Sequence, residues 1–155
     1  MQWLSTTIAP LQNLIGFLYK KAKTNDVQKK QLLVELRDNL NVFKNAYMDN
    51  IPHENVIDLL SNTAIRNAVK ENFQFSKLKD GKITAKIIKD DRNKRYLGWT
   101  AEKLVDKIDE KIQELKNIKQ LNGGHIKNTE QKVSVKLNNL YFRMKLLADF
   151  IQSES

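Results

Sequence analysis

The stretch VSVKLNNLYFRMKLLADFI, Val133 to Ile151, decides the fold. Its apolar residues recur at Val133, Leu137, Leu140, Met144, Leu147 and Ile151, in alternating steps of four and three. That period places them on one face of an α-helix. Three more segments repeat the pattern. The first is Leu4, Ile8, Leu11, Ile15, Leu18 and Ala22; the second is Leu33, Leu36, Leu40, Phe43 and Tyr47; the third is Ala101, Val105, Ile108, Ile112 and Leu115. Leu14, Phe17, Leu32, Leu104, Ile118 and Tyr141 widen these stripes. A wide stripe suits a globular bundle better than a two-stranded coiled coil. The expectation is an all-α fold: a four-helix bundle with crossing angles of about 20°.

The boundaries fit four long helices. Asn25 and Asp26 are caps for the second, and Asn25 with Gln28 makes an N-x-x-Q capping box. Ile51-Pro52 stops it, because the residue before proline is pushed out of the α region. Thr100 caps the third long helix, with Trp99 and Leu104 as a hydrophobic staple. Gly123-Gly124 ends it. Asn128 with Gln131 caps the last. Pro10 either kinks a helix over residues 4–22 or sits in the first turn of one beginning near Ala9.

Short links make the first two helices one antiparallel pair and the last two another. Residues 51–99 form a long crossover between the pairs. It holds short helices at His53 to Leu60 and Thr63 to Asn72, a turn at Asp80-Gly81, and at Ile83 to Lys89 a short helix or a strand, of which the helix is preferred. At 155 residues the chain reads as a single domain, 1–155, long enough to bury a real core.

Composition narrows the function. The chain has no cysteine, which excludes disulfides, thiolate metal sites and cysteine nucleophiles and fits a reducing, cytoplasmic setting. The apolar N-terminus, MQWLSTTIAPLQNLIGFLYKK, has no basic residues before its apolar part, and polar residues interrupt it. It reads as a core helix rather than a signal peptide or membrane span. The net charge is +9, yet 22 of the 27 basic residues are Lys, beside 16 Asn and 13 Ile. That mixture is typical of an AT-rich bacterial coding sequence, so part of the charge is compositional.

No catalytic, metal or cofactor motif is present. His53 and His125 stand in different loops, without a Glu-x-x-His partner. H-E-x-x-H, Walker, dinucleotide and G-x-S-x-G signatures are all missing. Asp106, Glu110 and Glu114 share one helix face, but Lys103, Lys107 and Lys111 interleave with the acids, the pattern of a solvated, charge-laced face. The chain therefore reads as a non-enzyme with no metal and no cofactor.

What remains is KLKDGKITAKIIKDDRNKRYLGW, Lys77 to Trp99, with eight Lys or Arg against three Asp. Lys86, Lys89, Arg92, Lys94, Arg95, Tyr96 and Trp99 form the candidate partner-binding set. The leading reading is an interaction module for a protein with an acidic surface. One alternative is weak, non-specific nucleic-acid binding, with the cations on phosphates and Tyr96 or Trp99 stacking on bases. Another is peripheral membrane association through Trp3, Leu4, Ile8 and Phe17. Against all of these, Tyr96, Leu97 and Trp99 can simply plug the open end of the bundle.

Overall fold

The computed structural model describes residues 8–127 and 129–153, with side chains from residue 11 onward. The described residues form six α-helices and no strand: α1 (Ile8–Lys21), α2 (Val27–Asp49), α3 (His53–Leu59), α4 (Thr63–Lys70), α5 (Ala101–Leu121) and α6 (Glu130–Gln152). Two 3-10 segments, Phe75–Lys77 and Asp91–Tyr96, lie between α4 and α5.

The helix ends follow local chemistry. Asp26 alone caps α2, its carboxylate accepting the Lys29 N–H at 3.2 Å. The Thr100 hydroxyl accepts the Lys103 N–H at the start of α5. Gly123 and Gly124 take φ of +71° and +86°, and the Gly124 N–H closes back on the Lys119 carbonyl at 2.9 Å. Pro10 is the third residue of α1, where an N–H would have no intrahelical acceptor, so proline is tolerated without a kink. Asn128, expected as the α6 cap, lies outside the described residues; the cap position is Thr129, whose side chain makes no capping bond.

Two sequence expectations are corrected. Helix α4 ends at Lys70, and Asn72 takes φ of +56°, which closes the helix. Ile83 to Lys89 is not helical. The Ile83 N–H donates to the Trp99 carbonyl at 2.9 Å, and its carbonyl accepts the Gly98 N–H at 2.8 Å. The two bonds span 16 and 15 residues, and the Ile83 carbonyl goes to Gly98 rather than to an N–H four residues ahead, so the segment does not begin a helix. This pair of bonds closes residues 83–99 into one loop.

Helix α6 is the hub. Every residue from Leu140 to Ile151 is buried. It packs on α1, α2, α3, α5 and the 3-10 helix Asp91–Tyr96. A helix buried on all sides needs cover on all sides, and the loop 83–99 supplies part of it through Ile83 and Tyr96, each 1% exposed. Helix α1 packs along α2, and α5 along α6; α3 and α4 bridge α2 and α5.

That bridge is held by a buried polar clamp. Asn39 grips Ser61 with both ends of its amide, accepting the Ser61 N–H at 2.9 Å and donating to its carbonyl at 2.8 Å. One turn earlier on α2, Glu35 accepts hydrogen bonds from the Ser61 hydroxyl at 2.9 Å and from the Ala64 and Ile65 N–H groups at 2.7 and 3.2 Å. Asn62 offers α4 no side-chain cap, so Glu35 caps that helix from a distance. From α5, Asp109 accepts bonds from Asn62 at 2.8 Å and Arg66 at 3.2 Å.

Burial pushes the Glu35 carboxyl above its ordinary value, against the hydrogen bonds from Ala64, Ser61 and Ile65. A raised folded-state value means that stability from this group is present below about 4.5 and is lost as the pH rises through the folded-state value. Two outcomes follow. In urea denaturation Glu35→Ala loses roughly 1–3 kcal/mol, because the buried Ile65 N–H and the partly buried Ala64 N–H lose their acceptor. The stability of the wild type relative to Glu35→Gln falls as the pH climbs above that ordinary value; a difference that stays flat or rises contradicts this origin.

Candidate functional site

The loop 83–99 folds onto the C-terminal half of α6 and brings the basic residues with it. Asn93 is 5% exposed and donates to the Phe142 carbonyl at 3.1 Å. The Tyr96 hydroxyl accepts a 2.7 Å bond from Arg143 Nε. The Arg92 guanidinium lies 4.0 Å from the Phe142 ring centre, a cation–π contact. These three contacts seat the 3-10 helix across Phe142 and Arg143.

Of the expected set, Lys86 and Lys89 border an open groove of about 550 Å³ between residues 79–89 and the end of α6. Lys79 and Lys82 border it too, with Asp80 and Asp149 opposing. Lys79 reaches across to the Ser153 carbonyl, where a cation favours the helix C-terminus. Lys82 and Lys86 are exposed and make no hydrogen bond or ion pair among the described residues. Lys89 pairs with Asp149 at 3.2 Å, Arg92 with Asp90 at 2.8 Å, and Lys94 with Asp91 at 3.2 Å.

The aromatics sit differently from the surface set expected of them. Tyr96 is 1% exposed and belongs to the core, because its ring fills the gap above α6. Trp99 is half-buried and packs edge to face on Tyr96, with ring centres 4.7 Å apart. Leu97 is 56% exposed beside them. The buried Tyr96 ring offers no open platform for a base. Arg95 is exposed and lies 5.4 Å from the Tyr96 ring centre, with no carboxylate partner among the described residues.

Sequence reasoning missed Arg143, Lys145 and Asp149. The signal was present: from Leu140 to Ile151 apolar residues occupy every helix face, so the few charges among them are buried too. Asp149 is held between Lys145 and Lys89, both at 3.2 Å.

Outside the loop, Asp109, Glu110 and Glu114 of α5 have ion-pair partners. Burial, then Glu102 and Asp109, push the Asp106 carboxyl upward. Glu110 pairs with Lys107, and Glu114 with Lys111 and Lys136. A hydrogen bond from Lys136 holds the Glu114 carboxyl below its usual range. Among the described residues no group of three His, Asp or Glu is placed to hold a metal ion. His53 keeps a buried Nδ1 without a partner, and burial lowers its pKa. Another open cleft, about 870 Å³, lies between α2 and α4. The polar atoms of Glu35 and Asn39 beneath it are engaged by residues 61–65.

Trp3 and Leu4 lie outside the described residues, as does the Ile8 side chain; Phe17 is half-buried against the core. No described helix is long and apolar enough to cross a membrane. No protein-family model, curated protein or solved structure matches the chain.

Asp149 and Lys89 make unequal contributions. The side chains of Asp149 and Lys145 are 5% and 10% exposed, whereas that of Lys89 is 61% exposed. Asp149→Ala leaves Lys145 buried without its counter-ion and loses roughly 3–5 kcal/mol. Lys89→Ala loses at most about 1 kcal/mol. Chemical denaturation of both variants checks the order; equal losses would contradict it.

Proposed function

We propose that this chain is a non-enzymatic helical interaction module that binds an acidic protein surface through its basic crossover. The scaffold in this reading is a four-helix bundle of α1, α2, α5 and α6 in two antiparallel pairs, with residues 51–99 as the crossover. The observation that carries the proposal is the groove at the end of α6, where Lys79, Lys82, Lys86 and Lys89 gather along one side of the molecule. Arg92 and Arg95 continue the basic surface on the adjoining 3-10 helix.

Several features favour an acidic protein over nucleic acid. The groove lacks arginine, the better residue for bidentate phosphate contacts. Tyr96 is buried in the core, which removes one of the two stacking platforms that single-stranded nucleic acid would use. Asp80 and Asp149 break the positive run, which favours a patterned partner over a uniform phosphate backbone. An apolar side chain, Leu97, is exposed nearby and offers a protein partner a contact that phosphates do not use. The absence of catalytic motifs fits a binding role.

The test compares an oligoglutamate peptide with a single-stranded oligonucleotide over a salt series. The variant is Lys82→Gln, Lys86→Gln, Lys89→Gln, which removes exposed charges. The expected result is peptide binding by the wild type that weakens at least about tenfold in the variant, a loss of about 1.4 kcal/mol. No peptide binding at low salt, or binding unchanged in the variant, overturns the proposal. Tight oligonucleotide binding that falls about one log unit per log of salt for each phosphate neutralised replaces it with the nucleic-acid reading.

A further inference from the structure

The crossover encloses one charge without a counter-ion. Arg143 is 4% exposed, and its Nη1 is buried with no hydrogen-bond partner. Among the described residues its single hydrogen bond runs from Nε to the Tyr96 hydroxyl. That hydroxyl accepts the bond, and no described acceptor receives its own proton. The neighbouring cations differ: Lys89 and Lys145 share Asp149, Arg92 has Asp90, and Lys94 has Asp91. Two guanidiniums, Arg95 and Arg143, lie 5.4 and 5.5 Å from the Tyr96 ring centre, and neither has a carboxylate.

A buried guanidinium is strongly unfavourable unless paired and hydrogen-bonded. The ring and hydroxyl of Tyr96 compensate part of this charge. They leave unfilled the parallel N–H donors that match a planar carboxylate. We propose that Arg143 and Tyr96 form an oxyanion-binding site that takes a carboxylate. Its donors are the free guanidinium N–H groups and the phenolic O–H. The carboxylate comes from an Asp or Glu side chain of the acidic partner, or from a small free carboxylate. The first source rests on the proposed function; the site itself does not.

Trp99 packs edge to face on Tyr96 and is half-buried, so in this proposal its displacement opens the way to the buried donors. The preceding Gly98 has φ of +81° and open space on its Cβ side. Trp99 shifts when an anion enters, and its emission reports the event.

The experiment uses the full chain carrying Trp3→Phe, so that fluorescence reads Trp99 alone. Sodium acetate replaces sodium chloride at constant ionic strength, and the oligoglutamate peptide is titrated separately. The expected result is a saturable acetate-dependent change that Arg143→Met abolishes. Tyr96→Phe removes only the hydroxyl and weakens acetate about 2- to 10-fold, the worth of one hydrogen bond; it decides the matter if Arg143→Met does not fold. Lys82→Gln with Lys86→Gln leaves acetate binding unchanged and weakens the peptide. No saturable acetate response, or a Tyr96→Phe titration identical to the wild type, overturns the site. Acetate binding without peptide binding keeps the site and overturns the acidic-partner reading. Peptide binding with no acetate response overturns the site and keeps that reading.

Discussion

Twelve consecutive buried residues on one helix set the terms for this protein. From Leu140 to Ile151, α6 has no solvent face, so other parts of the chain must surround it. Helices cover most of it: α1 and α2, α3, and α5. The remaining cover comes from the 3-10 helix Asp91–Tyr96 and the loop that carries it. Three of the twelve residues are charged, and each must find compensation in a poorly solvating interior. Lys145 and Asp149 find it in each other, one helical turn apart, with Lys89 on the rim. Arg143 finds a tyrosine.

The crossover thus closes the core and also presents charge. Its apolar members Ile83 and Tyr96 point inward, and the backbone bonds between Ile83 and Gly98–Trp99 hold the loop ends together. Between those anchors the lysines have nowhere apolar to go and line the outside. A surface built in this way is held by core packing rather than by the weak exposed ion pairs along it. The backbone that carries its cations is therefore held by packing and by the Ile83 hydrogen bonds.

The α2–α5 side is built on another principle. The short helices α3 and α4 stand between the two long ones, and polar side chains from both flanks hold the link between them. Glu35 and Asn39 reach from α2, Asp109 and Gln113 from α5. A seven-residue and an eight-residue helix are too short to persist by propensity. They depend on caps supplied from neighbouring helices, including the Lys116 and Lys119 ammoniums that donate to the Ile57 and Glu54 carbonyls of α3. Burial lowers the Lys116 pKa.

The sequence by itself determined what depends on near neighbours. Helical period, the Asp26 and Thr100 caps, the stop before Pro52 and the Gly123-Gly124 terminator act within a few residues, so the all-helical class and the positions of the long helices were legible. So was the concentration of cations in residues 77–99. Tertiary structure alone decided the rest, because it depends on partners far apart in the chain. Ile83 looked helical until its backbone bonded to Gly98 and Trp99. Glu35 looked like one more polar residue of α2 until it capped a helix 29 residues away. Tyr96 could be read as a partner-binding aromatic or as a plug of the bundle end until the fold laid it on Arg143, 47 residues later. Periodicity records which face of a helix is apolar; it does not record what will cover that face, and the cover turned a basic segment into both a lid on the core and a candidate site.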